Sequence, residues 1–243
     1  LFSCNANQLT IEHVHGVLRG EIGALIIEKF IDVQQAKNTA LSFENVSANG
    51  ALSSESIAEY LERAARFSSA IEEICSPHGE SPMTKVQRLL GAVLRARRLE
   101  LQGREMFAGL VRVVRKGGEI LPHQDELGED MPDLDFAKRL TLPGGQLAVN
   151  MYLQVPAEGG ELQLWRDKYT AAQIANLRMP SSDYGINPAL LPQPDAVIKP
   201  RIGDLIFFDT SRMHAVTKAN GIARVSISFF LGIGSDGEAR YWS

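Results

Sequence analysis

Between residues 110 and 232 the chain breaks into short strand-like runs separated by glycine and proline turns, and this pattern restricts its fold more than any other feature. The runs fall at 110–115, 120–125, 146–155, 161–166, 197–201, 204–209, 214–218 and 224–232. Short strands in such number must share a core between two sheets or around a barrel. About eight of them fit a jelly roll. The first 107 residues read differently. An apolar run of strand length covers 22–30, and a polar helical stretch covers 32–41. Past a small-residue loop at 49–54, Ser54 or Ser56 would cap a helix running to Cys75. A further helix is expected over 84–102, beyond the Pro77, Gly79 and Pro82 punctuation. The expectation is an α+β fold in one domain over 1–243, with 1–107 as mainly helical support outside a jelly-roll core at 108–243.

Composition narrows the function classes. Of 243 residues, 44% are hydrophobic and 22% charged, which is ordinary for a globular chain. A net charge of −4 argues against a nucleic-acid partner, since no basic stretch offsets it. Arg95, Arg97, Arg98 and Arg104 read as one solvated helix face. Cys4 and Cys75 have no metal-ligand spacing and do not make a disulfide framework, so a reducing cytoplasm is the expected location. No apolar run approaches the roughly 18 residues of a membrane span. The chain begins with Leu, which leaves a preceding segment open, as the sequence leaves open a homodimer.

The chemistry sits in the strand-rich half. His123 and Asp125 form a His-x-Asp pair in the run ILPHQD, and on a strand two such side chains share a face. Alone the pair is a weak signal, because His beside Asp is common in loops. His214, in FFDTSRMHAV, supplies a second imidazole. Two histidines and one carboxylate form the facial triad of non-haem iron oxygenases, which leaves positions on the metal for co-substrate and O₂. Further along, ARVSISFF places Arg224, Ser226 and Ser228 on one strand face. A guanidinium beside a hydroxyl makes a clamp for a carboxylate.

In order, His123-x-Asp125, Gly159-Gly160-Glu161-Leu162, Gly203-Asp204-Leu205 with Phe207-Phe208, His214-Ala215-Val216 and Arg224-x-Ser226 resemble the Fe(II)/2-oxoglutarate-dependent dioxygenases. The resemblance covers roughly 108–232 and is specific in its combination. It implies a double-stranded β-helix, with Fe(II) held by His123, Asp125 and His214 and the distal carboxylate of 2-oxoglutarate held by Arg224 and Ser226. The segment LVRVVRKGGEILPHQD and the ending ARYWS are similar to the N-substituted L-amino acid dioxygenase subgroup, which includes an N-succinyl-L-amino-acid β-hydroxylase and alkaloid halogenases. Those halogenases carry Gly at the carboxylate position. Asp125 therefore implies hydroxylation of an unactivated C–H, at the β-carbon of a small acidic substrate such as an N-succinyl L-amino acid, with release of succinate and CO₂.

Other residues keep two readings. Asn150 and Tyr152 alternate with apolar neighbours and either line the co-substrate pocket or belong to a solvated sheet face. Arg112 either meets a carboxylate or is an exposed strand residue. Phe229 and Phe230 either shape a substrate pocket or fill the core, and Trp165 reads as core. His13, His15 and His78 read as surface residues. The long connections 126–145 and 167–196 have the length of lids or binding loops, and the first carries Glu129, Asp130, Asp133 and Asp135. Outside the hydroxylase reading stand an oxygenase of another small natural product, a cupin-like isomerase and a non-catalytic metal-binding module. Cupins generally use His-x-His with Glu, which the motif lacks.

Overall fold

The computed structural model describes residues 1–43, 57–127, 138, 145–179 and 185–243. The strand-rich half, joined by three short strands from residues 1–107, folds as two sheets between which the chain crosses repeatedly. The larger has the order β1 (Phe2–Cys4), β2 (Leu25–Ile27), β11 (Leu205–Asp209), β8 (Gln146–Gln154), β13 (Arg224–Ile233), β14 (Ala239–Trp242) and β3 (Arg97–Arg98). β6 (Leu110–Val114) pairs with the first half of β13, on the same side as β14. The smaller sheet runs β10 (Ala196–Ile198), β9 (Leu162–Leu164), β12 (His214–Val216) and β7 (Ile120–His123). A separate hairpin joins β4 (Glu100–Leu101) to β5 (Arg104–Glu105).

Alternation along the strands sorts side chains into two cores. Val225, Ile227, Phe229 and Leu231 of β13, with Leu147, Val149, Met151 and Leu153 of β8, enter the large core. The N-terminal helices cover that face. α1 (Ile11–Leu18) lies against β11, and α2 (Val33–Phe43) lies against β8 and β13 through Ala36, Ala40 and Phe43. α3 (Ile57–Cys75) adds Tyr60, Leu61, Ala64 and Ile71, and α4 (Pro82–Leu94) adds Met83, Val86 and Leu90. The opposite face of β8 and β11 meets the small sheet. Ala148, Tyr152, Ile206 and Phe208 pack there against Leu162, Leu164 and Ile198.

Three expectations need correction. The helix over 84–102 ends at Leu94, because Arg95 takes a left-handed φ of 53° and turns the chain into strands. Leu99 and Leu101 are buried from that extended stretch, so the apolar spacing that mimicked a helix is a strand edge reaching the core. Arg97, Arg98 and Arg104 accordingly lie on strands and form no helix face, with Arg98 paired to Glu105 at 3.3 Å. Third, β7 stops at His123 and leaves Asp125 beyond the ladder. The expected loop at 49–54, the Ser54 or Ser56 cap and the acidic residues Glu129, Asp130, Asp133 and Asp135 lie outside the described residues. The connection 167–196 contains α5 (Ala171–Leu177) and a short 3-10 turn, Pro188–Leu190. His13 bonds back to Thr10 and stacks on Phe2, while His78 meets Ser42 at 3.1 Å.

Candidate metal centre and co-substrate pocket

β12 and β7 pair antiparallel with His214 directly opposite His123, and the ladder shifts register before Val216. Cross-strand partners project to the same face. His214 also pairs with Leu164, whose side chain lies between the sheets, so both imidazoles face that space. Their rings stand 4.2 Å apart, and Phe208 packs edge-on against His214 at 5.1 Å. Asp125 Oδ2 lies 3.6 Å from His123 Nε2 and 3.5 Å from His214 Nε2. One ligand atom from each of the three residues falls within 4.8 Å of the others. Ligand bonds of about 2.0–2.2 Å would place such atoms roughly 3 Å apart around one ion, so closure needs only small side-chain shifts.

The ring orientation is fixed from behind. His123 Nδ1 lies 2.7 Å from the Leu121 carbonyl oxygen and His214 Nδ1 lies 3.0 Å from that of Arg212. A carbonyl only accepts, so each Nδ1 donates and each Nε2 is turned toward Asp125: as N–H it donates to the carboxylate, and without the proton its lone pair is free for a metal. Burial and the neighbouring His123 charge push His214 below its ordinary value, against the opposing pull of Asp125. Burial acts to raise the Asp125 carboxyl, but hydrogen bonds and charge from the two histidines hold it well below the usual carboxylate range. A neutral imidazole and an ionised carboxylate are the states that bind metal. Two imidazoles and one carboxylate, without a thiolate, suit non-haem iron.

A second polar cluster lines the same inter-sheet space. Arg224 is 1% exposed, and Ser226 and Ser228 are buried on its face of β13. Ser226 stands opposite Tyr152 on β8 and Arg112 on β6, and Ser228 stands opposite Asn150. The Arg224 guanidinium lies 4.8 Å from the Tyr152 ring centroid and donates to Ser226 Oγ at 3.5 Å. Arg224 Nε, the Tyr152 hydroxyl and the Ser228 hydroxyl are buried without a hydrogen-bond partner. Buried polar atoms are rarely left so, and a guanidinium edge with two hydroxyls suits an anionic, oxygen-rich ligand. Asn150 and Tyr152 thus face inward and not toward water. Arg112 shares their face and is half-buried. Phe229 enters the helix-covered core, with its ring 6.1 Å from Tyr241, on the face opposite Arg224. Phe230 is half-buried and tilted against Trp242 at 6.0 Å. Trp165 is core and donates its indole N–H to Pro192 O.

The carrier-protein-independent halogenase WelO5 family model matches residues 7–243. The chain belongs to that family. Among curated proteins, an L-gamma-glutamyl-L-propargylglycine hydroxylase of Streptantibioticus cattleyicolor is 32% identical over 143 residues, 58% of this chain and 50% of that protein. The chain therefore spans about half the length of the curated relative it matches. An N-substituted L-amino acid dioxygenase from Burkholderia ambifaria AMMD superposes with a TM-score of 0.65 at 18% identity, covering 97% of this chain and 92% of that one. The structure of that dioxygenase in complex with alpha-KG gives the same TM-score, with coverages of 96% and 90%. HygX from Streptomyces hygroscopicus with nickel and 2-oxoglutarate bound gives 0.52 at 15% identity, covering 92% and 86%. The fold is shared with that N-substituted L-amino acid dioxygenase.

The sequence pattern alone does not reveal the contacts of Gln146 and Gln124. Gln146 opens β8 with its side chain buried beside Asp125, and the Gln124 side chain pairs with the backbone of Tyr169. The only available signal was an amide inside an apolar strand and another between two metal-ligand candidates.

Proposed function

We propose that this chain is an Fe(II)- and 2-oxoglutarate-dependent hydroxylase of a small acidic substrate, an N-acylated amino acid, with release of succinate and CO₂. One observation carries this: a two-histidine, one-carboxylate cluster shares an inter-sheet space with a buried arginine and two hydroxyls that lack partners. The strand order, with β6, β13, β8 and β11 facing β7, β12, β9 and β10, supports a double-stranded β-helix. Residues 1–243 form one domain in this reading, supported by the family match across both halves.

In this assignment His123, Asp125 and His214 hold the iron, which supplies redox chemistry with O₂ when bound. Arg224 and Ser226 bind the distal carboxylate of 2-oxoglutarate, and Tyr152 and Asn150 complete the pocket wall. The Tyr152 ring supports the guanidinium from below and its hydroxyl donates to the same carboxylate. The apolar set Ala148, Leu162, Leu164, Ile206 and Phe208 excludes water around these groups. The protein thus supplies orientation, dryness and charge. Arg112, on the same face, is assigned to a substrate carboxylate, and Phe230 to the pocket margin. Phe229 is given no contact with substrate, because it lies on the other side of the sheet.

The substrate class rests on the relatives, whose names specify a γ-glutamyl amino acid and N-substituted L-amino acids. Anaerobic addition of Fe(II) and 2-oxoglutarate should produce a weak visible charge-transfer band. N-acyl amino acids should then stimulate succinate release and gain one oxygen. A chain that binds both but gives no band refutes the centre. Turnover of another small natural product, with N-acyl amino acids inert, refutes the substrate class.

A further inference from the structure

Two of the three clustered ligand candidates come from paired strands, but Asp125 does not. β7 ends at His123, so the ladder does not place the carboxylate. Its backbone is held by other groups. The Asp125 N–H donates to Thr210 O at 2.9 Å. The Gln146 side chain closes the other side: Nε2 donates to Asp125 O at 3.3 Å, and Oε1 accepts from Leu127 N at 2.8 Å. Gln146 is 5% exposed, and its own carbonyl accepts from Thr210 N at 3.4 Å. One primary amide therefore spans the residue pair on either side of Glu126 as a neighbouring strand would, at the point where the sheet has run out. No other side chain reaches the Asp125 backbone among the described residues' hydrogen bonds.

We propose that Gln146 is the positioning residue for Asp125: its amide replaces the missing strand and holds the carboxylate in reach of both histidines. The role rests on the metal-centre reading above. It acts through Asp125, and not through His123 or His214, whose positions the β12–β7 register sets independently. Outer-shell partners of metal ligands typically change affinity by about 10–100-fold when removed.

The test is Ni(II) binding to the metal-free full-length protein by titration calorimetry. Gln146→Met keeps the length but loses both hydrogen bonds, and should weaken Ni(II) binding by roughly 10–100-fold. Gln146→Glu keeps the acceptor for Leu127 and should fall between it and the wild type. In an Asp125→Ala background the Gln146→Met change should cost less than about twofold, whereas in a His123→Ala background it should retain its full effect, as expected of coupled and uncoupled pairs. If Gln146→Met does not fold, the same cycle is run with Gln146→Glu. Wild-type affinity in the variant, or an equal loss with and without Asp125, overturns the proposal. A wild-type protein that takes up no Ni(II) refutes the metal centre itself, and this role with it.

Discussion

His214 is the cross-strand partner of His123, and their rings lie 4.2 Å apart between the two sheets. A backbone ladder therefore sets the spacing of the two imidazoles, with a carbonyl behind each ring fixing its orientation. The carboxylate arrives differently, from a loop bonded to Thr210 and Gln146. This division makes the histidine pair a property of the fold and the carboxylate's placement a property of local contacts. Changes to the loop should then alter the chemistry while sparing the sheet.

The buried clamp gives the first expectation. Arg224→Ala should raise the 2-oxoglutarate requirement strongly, since breaking a buried charge pair typically costs about 3–5 kcal/mol. Iron uptake should stay near wild type. Tyr152→Phe should act more gently, by about 1 kcal/mol or several-fold in affinity. Its orphan hydroxyl costs desolvation when no co-substrate is bound. The melting temperature of this variant without 2-oxoglutarate should therefore match or exceed wild type, while stabilisation by added 2-oxoglutarate should shrink. Thermal melts with and without the keto acid measure both. An unchanged 2-oxoglutarate dependence in Arg224→Ala would exclude the clamp.

Glu161 gives a pH expectation. Burial works to raise its carboxyl, but the Thr217 hydroxyl, a backbone N–H and Lys199 at 3.2 Å together hold it below its ordinary value. The folded state then binds fewer protons than the unfolded one as pH falls through the ordinary range near 4.5. This contribution is complete above that range and is lost below it, on the way down to the folded value. At neutral pH, Glu161→Gln should cost about 1 kcal/mol. The gap to wild type should narrow from about pH 4.5 downward. Urea unfolding at several pH values checks this, and a gap that widens on acidification would contradict it.

The loop carrying Asp125 is also tied on its outer side. Gln124 Nε2 donates to Tyr169 O at 3.1 Å and its Oε1 accepts from Tyr169 N at 2.7 Å, while Glu126 pairs with Lys168. Gln124→Leu should raise hydrogen exchange at the Tyr169 amide and across 168–177, with a stability loss of about 1–2 kcal/mol for two hydrogen bonds. Exchange unchanged at Tyr169 would show that the amide pairing is absent in solution.

Much of this was legible beforehand, for physical reasons. Glycine and proline punctuation with period-two alternation located the strands, and the phase of ARVSISFF put Arg224 with Ser226. The same phase separates Phe229 from them, and its assignment to a pocket came from proximity in sequence alone. Whether the polar face of β8 met water or a second sheet depended on distant pairing that no local pattern encodes. A helix over 84–102 is too long because Leu101, on a short buried strand, continues the helical spacing of the residues before Leu94. Gln146 was silent because its importance arises only when β8 and the end of β7 meet.

In the proposed assignment Asp125 decides the reaction type. The chain belongs to a family named for a halogenase, yet it carries a carboxylate beside both histidines. A carboxylate ligand adds negative charge and occupies a position that a halide would need. The wild type in chloride buffer should therefore give a product that gains one oxygen, labelled from ¹⁸O₂, and no chlorinated product. Asp125→Gly removes the charge and the proposed ligand together and should lower hydroxylation by at least about 100-fold, the upper end of what losing an outer-shell partner costs. It also leaves Gln146 and Thr210 bonded to the backbone at residue 125, and Leu127 bonded to Gln146, so the fold should persist with a melting temperature close to that of the metal-free wild type. Removing the carboxylate does not reshape the apolar wall of Phe208 and Leu164, and efficient halogenation is not expected from this change alone. Mass spectrometry of both products decides the point. A chlorinated product from the wild type would overturn the hydroxylase assignment, and full hydroxylase activity in Asp125→Gly would remove Asp125 from the metal.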